Sequence, residues 1–82
     1  MNPVLLKGIR SRFEFEVRSE DYQMFWTHKV LRLSIWLTAK ICRTNILSVY
    51  LANRRCRKAL KKILRDYLEV TVDQIITEFR KS

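Results

Sequence analysis

The chain has 82 residues, is 48% apolar and carries a net charge of +9 from 17 Lys and Arg against eight Asp and Glu. That length allows a single small domain with a thin core, and that apolar share argues against a disordered chain. The charge is uneven: residues 22–65 hold eleven bases and no acid, residues 1–21 balance four bases with four acids, and residues 66–82 hold four acids and two bases. A stretch of this kind repels basic partners and attracts nucleic acid or an anionic membrane.

Taken in chain order, the first element opens at Asn2-Pro3, an N-cap followed by proline at the first helical position. A helix is expected over about 3–17, with Arg12/Glu16 and Glu14/Arg18 at i,i+4 spacing. Phe13–Val17 also alternates apolar and acidic residues, as a strand would.

Ser19-Glu20-Asp21 offers a hydroxyl cap and first-turn acids for a second helix over about 20–43. No Gly, Pro, Asn or Asp stands between Asp21 and Asn45, a length comfortable for a helix and long for a strand. Trp26, Val30, Leu33, Leu37 and Ile41 form a helical stripe, while Leu31–Ile41 is apolar at every odd position and fits a strand equally well. Leu31, Ile35 and Cys42 lie opposite the stripe, so as a helix the segment is apolar on two sides. Such an element is either the central helix or packs partly on another subunit.

Thr44-Asn45 caps a third helix over about 46–69, and Thr71–Gln74 fits the capping box that opens a fourth over about 72–81. The joints are short, as between neighbouring antiparallel helices. The expected fold is therefore mainly α, one small bundle of about four helices. The alternative is α+β, a short antiparallel sheet packed on the long basic helix. Both readings keep a helix at Asn53–Glu69.

That helix carries the functional signal. At about 100° per residue, Arg54, Arg55, Arg57, Lys58, Lys61, Lys62 and Arg65 share one face. Ala52, Cys56, Ala59, Leu60, Ile63, Leu64 and Tyr67 share the other. Solvated helix faces usually mix signs, because i,i+4 acid–base pairs help the helix. Seven cations without an acid repel one another, which points to a polyanion, with arginine forks suited to phosphates. Lys29, Arg32, Lys40 and Arg43 would widen the footprint.

Other constellations are weaker. Tyr22, Phe25, Trp26 and Trp36 stand beside His28, Lys29 and Arg32 and could stack on unpaired bases, but core packing is the preferred reading. Helix pairs near Thr44-Asn45 or Val70-Thr71 lack bases at the start of the second helix, where a DNA-reading helix-turn-helix needs them. Asp66, Glu69, Asp73 and Glu78 are read as ordinary surface charge.

Cys42 and Cys56 form neither a disulfide framework nor a zinc spacing. Both have arginine neighbours, which favour a thiolate, but both sit among apolar residues, which favours buried structural thiols and a reducing, intracellular compartment. His28 is the sole histidine, and its spacing pairs it with no nucleophile and orienting acid. No catalytic residue, metal site or cofactor is expected. Residues 1–12 lack the apolar run of a signal peptide. Arg32, Lys40 and Arg43 interrupt the most apolar window, Val30–Ala52, so a spanning helix is not expected while contact with a membrane surface stays open.

The sequence thus predicts a non-catalytic nucleic-acid-binding protein, a small basic component of a ribonucleoprotein, with RNA preferred over DNA. Trp26, Val30, Leu33, Trp36 and Leu37 are expected to meet a neighbouring protein. The alternatives are an accessory or adaptor subunit using that apolar surface, and a DNA-binding regulator. Reversing Arg55, Lys58 and Lys62 to Glu is expected to abolish binding and leave the fold intact.

Overall fold

The computed structural model describes residues 1–67 and 69–81. Among them lie five α-helices: α1 (Pro3–Glu16), α2 (Ser19–Phe25), α3 (Ile35–Ile41), α4 (Ile46–Ile63) and α5 (Val72–Lys81). A π-helical turn, Trp26–Val30, continues α2, and a 3-10 turn, Leu64–Asp66, follows α4. The described residues contain no strand, so the small helical bundle stands and the sheet alternative is not supported.

Three of the four expected helix starts are built as their residues dictate. Asn2 Oδ1 accepts from the Val4 amide at 2.8 Å, with Pro3 at the first helical position. Asn45 Oδ1 accepts from the Ser48 amide at 2.8 Å. At α5 the capping box closes both ways: the Gln74 amide donates to Thr71 Oγ1 at 3.2 Å and the Thr71 amide to Gln74 Oε1 at 2.8 Å. The exception is α2, where Ser19 is already helical and Arg18 is the N-cap without a side-chain bond. Ending α1 at Glu16 keeps the Arg12–Glu16 pair at 3.6 Å but removes Arg18 from the helix, so Glu14 pairs with Arg10 at 3.4 Å instead.

The expected continuous helix over 20–43 is corrected to two pieces. The Leu31 amide reaches back five residues to the Trp26 carbonyl at 2.9 Å, and the Leu33 amide six residues to Thr27 at 3.3 Å. Arg32 then takes a left-handed backbone, φ 63°. Ser34 restarts the chain as N-cap of α3, its Oγ accepting from the Leu37 amide at 3.1 Å. Two side chains hold the break. Arg80, from the last turn of α5, donates from Nε and Nη2 to the Lys29 carbonyl at 2.9 and 2.7 Å. His28 Nδ1 lies 2.7 Å from the Leu33 carbonyl, which can only accept, so Nδ1 carries the proton. These bonds satisfy carbonyls that an interrupted helix would otherwise leave orphaned.

The break also changes which helix is central: α4 touches all four others. Its buried side supplies Cys56, Leu60 and Ile63 to a main core with Ile9 and Phe13 of α1, Phe25 of α2, Val30 of the π turn, and Ile75, Ile76 and Phe79 of α5. Phe13 is the hub, its ring 5.3 Å from Tyr22, 5.4 Å edge-on to Phe25 and 6.4 Å from a parallel Phe79. Trp26 stacks on Tyr22 at 5.4 Å and carries the Arg10 guanidinium 4.4 Å over its ring. Tyr22, Phe25 and Trp26 are therefore core aromatics, as preferred, but the same reading is corrected for Trp36, which is 72% exposed. A smaller core of Met24, Ala39, Val49 and Ala52 joins α3 to the first half of α4.

Candidate nucleic-acid interface

The helix expected over Asn53–Glu69 is shorter, α4 ending at Ile63 and its 3-10 extension at Asp66, with Tyr67 beyond both and Leu68 outside the described residues, but its two faces are present. Ala52, Cys56, Leu60, Ile63 and Leu64 are buried, Ala59 and Tyr67 are half-buried, and all seven cations are exposed. They differ in what holds them, and that separates structural cations from available ones.

Arg55 is structural. Asp21, in the first turn of α2, is buried, with its side chain only 7% exposed. Its carboxylate accepts from Arg55 Nε at 2.8 Å and Nη2 at 3.0 Å, a bidentate fork across the α2–α4 contact. These hydrogen bonds and the Asp21 charge raise the Arg55 pKa further. Reversing Arg55 would set a second carboxylate against a buried one, so the expectation that the Arg55, Lys58, Lys62 reversal leaves the fold intact is corrected for Arg55. We expect Arg55→Ala to strand Asp21 and lower the midpoint of thermal unfolding by at least about 5 °C. Arg57 pairs with exposed Asp73 at 3.2 Å, and Arg57→Ala should move the midpoint by less than about 3 °C. Circular dichroism melts of the two variants check the contrast.

The remaining five, Arg54, Lys58, Lys61, Lys62 and Arg65, have no carboxylate partner among the described residues. Lys58 stands four residues from Arg54 and three and four from Lys61 and Lys62, and Arg65 stands four and three from that last pair, so these neighbours are about 5–6 Å apart on the helix surface. The stripe runs about 16 Å from Arg54 to Arg65. A groove of about 600 Å³ flanks it, lined by Arg55, Lys58, Lys61, Lys62 and Arg65 together with Glu16 of α1. Lys61 and Lys62 lie in the last turn of α4, where cations also favour the helix dipole.

Lys40 and Arg43 are not brought to this stripe. Both are exposed at the α3–α4 turn, where Arg43 has φ 54°, and about 14 Å of helix separates that turn from Arg54. Lys29 is half-buried and Arg32 exposed at the break.

The apolar stripe expected to meet a partner is divided. Val30 is buried in the main core and Trp26 is packed against Phe79 at 5.2 Å, so neither is available as a contact surface. Leu33 is half-buried, and only Trp36 and Leu37 are exposed. Leu47, Tyr50 and Leu51, exposed on the first half of α4, escaped the sequence reading. Their signal was the same spacing that gave the cationic stripe, since 47, 51, 54 and 58 continue one line.

The acids of the C-terminal third are surface groups in ion pairs where the geometry allows: Asp66 with Arg12 at 3.2 Å and Asp73 with Arg57. The cysteines diverge. Cys56 is fully buried and its Sγ donates to the Asp21 carbonyl at 3.5 Å. Burial, then the Asp21 charge, push its thiol up to about 12 despite the Arg55 neighbour. Cys42 is half-buried. Iodoacetamide at pH 8 should therefore modify Cys42 in the native protein and reach Cys56 only after unfolding, read as one adduct against two by mass spectrometry.

Among the described residues no group of three His, Cys, Asp or Glu side chains is placed to hold a metal ion, and no helix is long and apolar enough to cross a membrane. Fold and site together define a small helical bundle with one exposed cationic helix face. No protein-family model, curated protein or solved structure matches this chain.

Proposed function

We propose that this chain is a non-catalytic RNA-binding protein, a small basic component of a ribonucleoprotein that grips phosphates through α4. The observation that carries the reading is the stripe Arg54, Lys58, Lys61, Lys62 and Arg65: five exposed cations on one face with no carboxylate partner among the described residues. Mutual repulsion along that stripe is a standing cost that bound phosphates would offset. An exposed line of cations suits contact with backbone phosphates and with the wide, shallow minor groove of folded RNA.

The test is fluorescence anisotropy with a labelled RNA hairpin over a salt series. With four or five phosphate contacts, affinity should fall about a hundredfold between 50 and 200 mM salt. Salt-independent affinity, or no binding at low salt, would sink the reading. Preference for one duplex DNA sequence over excess competitor would instead favour a DNA-binding regulator.

A further inference from the structure

The exposed face of α4 changes character halfway. Its second half is the cationic stripe; its first half is apolar, with Leu47 64% and Tyr50 56% exposed and Leu51 beside them. The short α3, which packs on this same half of α4 through Ala39, Val49 and Ala52, exposes Trp36 (72%), Leu37 and Ile41. The turn 42–45 sets Ile41 and Leu47 at the same end of the hairpin. The six are 38–72% exposed, which together leaves on the order of several hundred Å² of largely apolar surface in water. A monomer's largest apolar patch is about 300–600 Å² and is often functional.

We propose that the α3–α4 hairpin docks on an anionic lipid bilayer. In that arrangement Leu37, Ile41, Leu47 and Leu51 enter the headgroup–acyl boundary, and Trp36 and Tyr50 sit at its polar edge. Lys40 and Arg43 at the turn, with Arg54 at the end of the apolar stretch, meet the lipid phosphates. The charge around the patch selects this occupant. From residue 22 to residue 65 there is no carboxylate, so every charge that the hairpin itself contributes is positive. That complements a surface that is negative throughout. A second copy would bring the same cations against these. Leucine and isoleucine outnumber the aromatic rings here, which suits acyl chains better than stacked bases. Aromatic residues at the margin of an aliphatic patch flanked by Lys and Arg are the composition of an interfacial anchor. The inference goes beyond the RNA reading and uses the other half of the exposed face of α4, sharing only Arg54 with the RNA stripe.

The test uses the full chain with vesicles of phosphatidylcholine alone or equimolar with phosphatidylserine. Three results are expected: at least about tenfold more protein sedimenting with the anionic vesicles, a blue shift of tryptophan emission, and quenching by lipids brominated on the acyl chain. Trp36→Phe should remove the shift and the quenching, because the remaining tryptophan, Trp26, is packed in the core. Leu47→Gln/Leu51→Gln changes exposed positions only and adds no charge beside Arg54. It should abolish sedimentation while affinity for the RNA hairpin stays within about twofold and the helical circular dichroism is kept. No partition into anionic vesicles overturns the proposal and leaves the apolar face to a protein partner. Binding without the Trp36 shift overturns it as well, since that would be attachment by charge alone. Neither result touches the RNA assay, so the two readings fail separately. If the double variant does not fold, the Trp36 quenching experiment decides alone.

Discussion

Charge reversal of Lys58, Lys61 and Lys62 to Glu is expected to lower RNA affinity by more than about a hundredfold at low salt, removing three cations from the stripe and adding three repulsive charges. All three side chains are exposed and unpaired among the described residues, so nothing in the core is disturbed. Each new carboxylate stands three or four residues from Arg54 or Arg65, within reach of a helical ion pair. Losing cations from the last turn of α4 costs about 1 kcal/mol in dipole interaction, too little to unfold the domain. Anisotropy with the RNA hairpin and a circular dichroism melt of the same preparation check both halves. Unchanged affinity in a folded variant would end the phosphate-face reading. The choice of residues matters: Arg55, the most natural member of such a set by sequence, would confound loss of binding with loss of the Asp21 fork.

The second large effect concerns the fold. Phe13→Ala should destabilise the domain by about 3–5 kcal/mol, the cost of emptying a fully buried aromatic site. A chain of this size has only about 5–15 kcal/mol in total. The midpoint of thermal unfolding should fall by at least about 12 °C, at about 4 °C or more per kcal/mol, and the variant would be partly unfolded near body temperature. Phe15→Ala, two residues away, should change stability by less than about 0.5 kcal/mol, because Phe15 is 90% exposed. Urea titrations of the pair separate the two readings of this segment. A strand puts residues 13 and 15 on one face and makes both substitutions costly, whereas a helix puts them about 200° apart and makes only one costly.

Much of the architecture was legible because its causes are local. The Asn2, Asn45 and Thr71–Gln74 caps bond within three residues, so residue type and spacing suffice to find them. Residues 13–17 and 31–41 were ambiguous because alternation and a helical stripe can coexist over a short stretch, and only packing separates them. The break after Val30 had a signal, Ser34 as a potential N-cap, but no residue nearby forces a helix to end. What fixes it is Arg80 reaching the Lys29 carbonyl from 51 positions away.

By itself, then, the sequence determined three of the helix caps, the two-faced character of α4 and the acid-free stretch from residue 22 to residue 65. These follow from periodicity and composition, which act over a few residues and do not depend on what packs against them. The tertiary structure decided which side chains are free to act. It committed Arg55 to Asp21, sent Trp26 and Val30 into the core, and left Trp36, Leu47 and Leu51 in water. Those outcomes depend on which helices meet, and a buried carboxylate or an uncovered face exists only once they do.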